Sequence, residues 1–292
     1  MISQITNFIT WDFNPDLIST PITIRWYGLM FAIGFLLGAW ILSKMFRHEG
    51  ARSSWADSVF ILVVVCTIIG ARLGHVFFYA WDYYSAHPED IIKVWEGGLA
   101  SHGGAIGIII GVCIFSYFVT KRSPLWVLDR LAVPTALVAG LIRMGNLFNS
   151  EIFGHATTLP WGFYFVNSRE WQRMCLANGG DLVACHPTQL YEALCYFILF
   201  GVLMWMYWKR NAEERPGLLL GVFLTVVFAS RFCIEFVKNV QEAFEQEMLL
   251  NMGQLLSIPF VIVGVVLIVV AMKRERLHLD YPDKFAVEEK KK

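Results

Sequence analysis

Charge is scarce in this chain: Asp, Glu, Lys and Arg make up 16% of its 292 residues, where an average soluble domain carries about a quarter. With 56% of the residues hydrophobic, most of the length is unsuited to facing water. A surplus of either sign is also missing, since 24 basic and 24 acidic residues cancel. The basic stripe of a nucleic-acid binder is therefore absent, and no nucleic-acid partner is expected. Met1 to Arg25 lacks the basic start, short apolar core and small-residue cleavage site of a signal peptide. The first apolar helix is accordingly expected to stay in the mature protein. Among six cysteines no pair has metal-site spacing. Cys66, Cys113, Cys195 and Cys233 fall in apolar stretches and read as small core residues, whereas Cys175 and Cys185 sit in a polar loop. The internal repeat of an inverted-repeat transporter is absent as well.

What the chain has in abundance is long apolar runs. A membrane helix needs roughly 20 such residues, and windows that qualify are 26–45, 57–80, 99–119, 125–148, 190–208, 217–237 and 254–272. The expected fold is an all-α integral membrane protein of seven spans, with residues 1–272 as one transmembrane domain. Lys44, Arg47, Arg52, Lys121, Arg122, Lys209, Arg210, Arg215 and the charged tail 273–292 all fall on one side, which the positive-inside rule makes cytoplasmic. Opposite them lie Arg25, Lys93, Arg169, Arg173 and Lys238 with the acids Glu89, Asp90, Glu242, Glu245 and Glu247. The N-terminus is thus expected outside and the C-terminus inside. Residues 149–189, too long for a hairpin, are expected to form a small external head, where disulfides persist. Gly34 and Gly38, Gly70 and Gly74, and Gly103, Gly107 and Gly111 recur at four-residue spacing, which lets helix backbones approach closely.

Charged groups nevertheless interrupt the spans. At about 1.5 Å per residue, Arg72 lies roughly 22 Å along span two and Arg231 roughly 21 Å along span six, with Glu235 one turn further out. Arg143 stands near the outer end of span four and is followed by Asn146, Asn149 and Glu151, while His102 and Tyr27 open spans three and one. Five helices therefore send polar groups to one depth. A charge within a span costs a few kcal/mol and normally faces a cavity or a partner. Planar, permanently charged guanidiniums suit a phosphate better than a proton relay. An anionic headgroup taken from the outer leaflet is the expected ligand.

Each residue also has a plainer explanation. Arg231 and Glu235, at i and i+4, could neutralise each other; Arg72 could be a structural charge at a close crossing; a lone histidine such as His102 is more often structural; Glu192 could pair locally; and Tyr27 beside Trp26 fits an interfacial aromatic belt. Clustering at one depth is what independent structural roles would not require.

The stretch Ile142-Arg143-Met144-Gly145-Asn146-Leu147-Phe148-Asn149-Ser150-Glu151-Ile152-Phe153-Gly154 resembles the signature of the prolipoprotein diacylglyceryl transferases, Gly-Arg-x-Gly-Asn-Phe-x-Asn-x-Glu-x-x-Gly. Similar matches occur at Arg25 to Met30, Gly70 to Gly74, Glu96 to Gly98, Ser101 to Gly104, His186 to Glu192, Arg231 to Phe236 and Met252 to Pro259. They touch every span in the family's order. Departures are few: Ile142 and Leu147 replace the signature's first glycine and its phenylalanine, His155 stands where relatives often carry arginine, and Val227 where some have tyrosine.

The resemblance implies an inner-membrane enzyme, active toward the outer leaflet, that moves the diacylglyceryl group of phosphatidylglycerol to the lipobox cysteine thiol of a prolipoprotein signal peptide. A thioether forms, glycerol phosphate leaves, and no metal or redox cofactor is involved. It implies catalytic roles for His102, Arg143 and Arg231. It also implies a substrate-binding set of Arg143, Tyr27, Asn146, Glu151, Gly154, Glu235 and Arg72, in which Glu151 and Glu235 would hold the arginines. Chemically, a mostly protonated thiol needs a base or a positive field, and the departing phosphate gains charge that fixed cations stabilise. His102 is the candidate base, histidine being the side chain that exchanges protons near neutrality. Two other classes remain open from the residues alone. An anion or lipid transporter would need a polar path across the inner halves of the spans, which are nearly uniformly apolar; an intramembrane serine protease would need a serine partnered with a histidine, and the neighbours Ser101 and His102 point apart on a helix.

Overall fold

A computed structural model describes residues 8–19, 23–52, 54–239 and 249–277. Its long helices are α1 (Trp26–His48), α2 (Ser54–Tyr79), α4 (Ser101–Ile114), α5 (Pro124–Phe148), α7 (Thr188–Arg210), α8 (Leu218–Ile234) and α9 (Met252–Lys273), with short helices α3 (Trp81–Ala86) and α6 (Arg169–Ala177) between them. Among the described residues, seven segments are long and apolar enough to cross a membrane, α4 counted with its continuation to Thr120 and α8 with its extension to Val237. All seven expected windows coincide with one of these segments. The punctuation is local chemistry: Pro124 opens α5, Pro187 stands just ahead of α7, left-handed Gly217 (φ 92°) precedes α8, and Asn251 with Gln254 forms a reciprocal cap on α9. Glu242, Glu245, Glu247 and residues 278–292 of the expected tail lie outside the described residues.

The chain divides into two compact units, Met1–Gly38 with Ala132–Glu275, and Ala39–Leu131 with Arg276–Lys292. In the second unit, Phe46, Trp55, Val59, Val112, Phe115 and Trp126 build an apolar core. Arg130, which interrupts span four in sequence, is fully buried there. Its Nε and Nη2 donate to the two oxygens of Glu49 at 2.8 Å each, and Trp126 Nε1 donates to the same carboxylate at 3.1 Å. A fork-to-fork pair of this kind offsets the desolvation that an unpaired guanidinium would suffer. Helices α2 and α4 cross at their glycines: a Cβ on Gly74 would come within 2.8 Å of Gly103 Cα, and one on Gly107 would meet the Cys66 carbonyl. Larger residues would push these backbones apart.

In the first unit, α8 and α9 cross equally closely at Gly221 and Gly264. A second apolar cluster gathers Leu147, Phe153, Phe163, Phe165, Trp171, Cys175 and Cys185. Strand β1 (Ile9–Thr10) pairs in parallel with β4 (Phe163–Tyr164), and Trp11 Nε1 donates to the Leu147 carbonyl at 2.9 Å. A hairpin of β2 (Asp16–Ile18) and β3 (Ile24–Arg25) leads into α1.

Candidate active site

The signature segment leaves α5 through a constrained loop. Ser150 and Ile152 both take left-handed φ values, 54° and 61°, which for a β-branched isoleucine is strained and persists only where surroundings over-determine it. They do so here. Ser150 N donates to the Leu147 carbonyl at 2.9 Å, Gln189 Nε2 to the Glu151 carbonyl at 2.6 Å, Thr188 Oγ1 to the Ile152 carbonyl at 2.8 Å, and Gly154 N to the His186 carbonyl at 2.8 Å. Gly154 admits no side chain, since a Cβ would strike the Val237 carbonyl, Thr188 and His186. The start of α7 thus fixes the end of the signature.

Within this frame the polar side chains pair differently from the expected scheme. Glu151 takes the amides of Asn146 (2.8 Å) and Asn149 (3.3 Å). The carboxylate that holds Arg143 is Glu192, paired with its Nε, while Arg143 Nη1 reaches Asn146 Oδ1 at 3.4 Å. Glu192 is also 3.5 Å from Lys238 Nζ, which lies 3.6 Å from Glu235. Glu235 therefore pairs with Lys238 and not with Arg231. Among the described residues, no hydrogen bond or ion pair engages the half-buried Arg231 guanidinium. Tyr196 of α7 lies within electrostatic reach of Arg143, Glu192 and Arg231, so the two arginines belong to one neighbourhood. Tyr27 packs its ring on Gly145, where a Cβ would come within 2.9 Å. Next to Arg231 in sequence, Phe232 and Cys233 line an apolar cleft of about 280 Å³ with Ala229, Ile258, Val261 and Ile262.

Arg72 and His102 belong to the second unit. Arg72 is 4% exposed, and its donors are already taken by backbone carbonyls: Ile91 at 2.8 Å, Asp90 at 2.6 Å and Gly97 at 2.6 Å, with Gly98 at 3.3 Å. Its guanidinium also rests 4.9 Å from the Tyr84 ring centroid. The loop it ties down is further braced by Asp90, whose carboxyl is held below the ordinary range by bonds from Lys93 and Tyr83. His102 is exposed, flanked by the rings of Phe78 and Tyr79 at centroid distances of 5.8 and 5.6 Å. Among the described residues nothing hydrogen-bonds its imidazole.

Beside the signature, His186 Nδ1 sits 3.1 Å from the Tyr191 hydroxyl, which also accepts from Trp161 Nε1 at 2.9 Å. Burial, with His155 nearby, pushes the His186 imidazole below its ordinary value of 6.5. Cys175 and Cys185 are both free thiols in the apolar cluster, and burial, with Cys175 adding, pushes the Cys185 thiol up to about 12.

The sequence marks Glu192 only as a local partner and gives Lys238 no sign of this role. Its position, four residues beyond α8, carried no signal beyond a lone base among external acids. Among the described residues, no group of three or more His, Cys, Asp or Glu side chains is placed to hold a metal.

A family profile described as prolipoprotein diacylglyceryl transferase matches residues 15–270. The phosphatidylglycerol--prolipoprotein diacylglyceryl transferase of Porphyromonas gingivalis is 57% identical over 275 residues, 91% of this chain and 95% of that protein. Proteins of the same name from Chloroherpeton thalassium and Tolumonas auensis are 48% and 43% identical, covering 93% and 91% of this chain and 97% and 98% of their own lengths.

Proposed function

The chain belongs to the prolipoprotein diacylglyceryl transferase family, and on that footing we propose that the Arg143, Glu192 and Arg231 neighbourhood receives the phosphate of phosphatidylglycerol. The protein is a multi-pass bacterial inner-membrane transferase that passes the diacylglyceryl group of phosphatidylglycerol to a prolipoprotein. The observation that carries the site assignment is the state of the two arginines. Arg143 is fixed through Nε by a buried carboxylate and keeps part of its fork, while Arg231 has no partner among the described residues. A guanidinium half-buried in an apolar helix is costly unless an anion completes it. The phosphodiester of the lipid supplies that anion, and gains charge as it departs as a monoester.

The displacement proceeds at a glycerol carbon: the C–O bond to phosphate breaks as a C–S bond to the lipobox cysteine forms. The thiol proton goes to a base, and the exposed imidazole of His102, free of hydrogen bonds among the described residues, is the group assigned to take it. Asn146 and Tyr27 are positioned to orient headgroup hydroxyls, and Glu151 to orient Asn146. The cleft lined by Phe232 and Cys233 suits an acyl chain. Arg72, saturated by carbonyls, serves the scaffold and not the phosphate. The site opens toward the outer leaflet, with the N-terminus outside.

Turnover with phosphatidylglycerol vesicles and a lipobox peptide tests the assignment. Arg143→Lys, which retains charge and loses the fork, is expected to fall about 10²- to 10³-fold, and His102→Gln by at least as much. Near-normal turnover in Arg143→Lys contradicts forked phosphate binding, and in His102→Gln an obligatory proton acceptor.

A further inference from the structure

Lys238 is the least expected member of the charge cluster. Its side chain is 4% exposed, and its ammonium lies between Glu192 Oε1 at 3.5 Å and Glu235 Oε2 at 3.6 Å. Burying an ammonium is unfavourable by several kcal/mol unless anions surround it, so this is not a solvated lysine that happens to lie nearby. Its backbone is held as firmly. Lys238 forms an antiparallel bridge with Gly154, and His155 N donates to the adjoining Val237 carbonyl at 2.9 Å. The Lys238 backbone is therefore anchored to Gly154, the last residue of the signature segment that carries Asn146 and Glu151.

Charge balance gives this position its meaning. Glu192 pairs with both Arg143 and Lys238, and Lys238 also lies beside Glu235. Without Lys238, Glu192 would have Arg143 as its sole close counter-ion among the described residues. With Lys238 present, the Glu192 charge is shared between two cations, and Arg143 retains positive potential toward a further anion. We propose that Lys238 is a positioning residue that takes up part of the Glu192 charge, so that Arg143 is free to bind the phosphate of the lipid substrate instead of being neutralised by Glu192. This rests on the assignment of Arg143 as a phosphate ligand, and extends it to the residue that sets the arginine's available charge.

A charge felt equally in the bound lipid and in the transition state changes KM more than kcat. In the vesicle and lipobox-peptide assay, Lys238→Met is expected to raise KM for phosphatidylglycerol about tenfold while kcat stays within about threefold. Inhibition by free glycerol phosphate should weaken by the same ratio. Lys238→Arg should restore both. The double variant Lys238→Met with Glu235→Gln removes one cation and one anion, and should bring KM back toward wild type; it also provides a charge-balanced protein should the single variant fail to fold.

A merely structural lysine predicts otherwise: lower thermal stability and less active enzyme, with KM unchanged and no recovery in the double variant. Either an unchanged KM in Lys238→Met or failure of both Lys238→Arg and the double variant to restore it overturns the proposal. Arg143→Gln separates the two layers. Should it retain wild-type KM and turnover, the phosphate assignment itself fails; should it lose activity while Lys238→Met keeps its KM, only the role of Lys238 fails.

Discussion

Arg143 and Glu192 form an ion pair of unequal exposure, the arginine side chain 18% accessible and the carboxylate 1%. The carboxylate is wholly committed to the protein, and the guanidinium is not. That asymmetry is what a binding group needs: an inner face fixed by the fold and an outer face left for a ligand.

Replacing Glu192 by Gln keeps an acceptor for Arg143 Nε and removes the charge that balances Arg143 and Lys238. Breaking a buried pair from one side costs about 3–5 kcal/mol, so Glu192→Gln should melt well below wild type in detergent. Turnover per folded molecule should also fall at least tenfold. A wild-type melting curve for this variant contradicts the role given to the pair.

Arg72 separates scaffold from site. Its donors close four contacts to the carbonyls of residues 90, 91, 97 and 98, so Arg72→Lys loses the fork that spans them. The expected outcome is a lower melting temperature and faster proteolysis between residues 87 and 99, with KM for phosphatidylglycerol little changed in the protein that remains folded. A large rise in KM with an unaltered melting curve places Arg72 in the substrate site.

Much of this architecture is legible from composition alone. Seven apolar windows needed only length and hydropathy, and the glycine spacings of α2 and α4 pointed correctly to a close crossing, because both are local properties; at Gly34 and Gly38 an added Cβ would meet only ordinary contacts. The pairings were not legible. Glu49 and Arg130 meet across 81 residues, so nothing near Arg130 in the sequence marks the carboxylate that pairs with it. At i+4, Glu235 was the natural partner for Arg231, yet the chain leaves α8 after Ile234 and turns Glu235 toward Lys238. Left-handed Ser150 and Ile152 likewise follow from hydrogen bonds donated by α7, which their own identities do not announce.

His186 gives a pH dependence of definite sign. Its imidazole is held below 6.5, chiefly by burial, so the unfolded chain binds the proton more readily than the folded one. The stabilisation is complete above about pH 6.5 and is lost as pH falls from there toward the lowered folded value. Wild type should therefore lose more melting temperature between pH 7.5 and 5.5 than His186→Asn does. Equal losses contradict the assignment.

Cys175 and Cys185 are reduced and buried in the aromatic cluster of the first unit. Intact-mass alkylation without reductant should leave both unlabelled in the native protein and label both after denaturation. A mass two protons lighter, with neither thiol reactive on unfolding, shows a disulfide instead.

In the proposed reaction, phosphate departs from the glycerol carbon as sulfur arrives, with Arg143 and Arg231 receiving it. Its most direct test follows both products in one reaction of pure protein, phosphatidylglycerol and a lipobox peptide: the diacylglyceryl mass on the cysteine, and free glycerol phosphate by phosphorus NMR. The two are expected to appear one for one, neither to form when the peptide cysteine is serine, and both to fall together in Arg231→Gln. Thioether without matching glycerol phosphate, or full yield of both from Arg231→Gln, contradicts it.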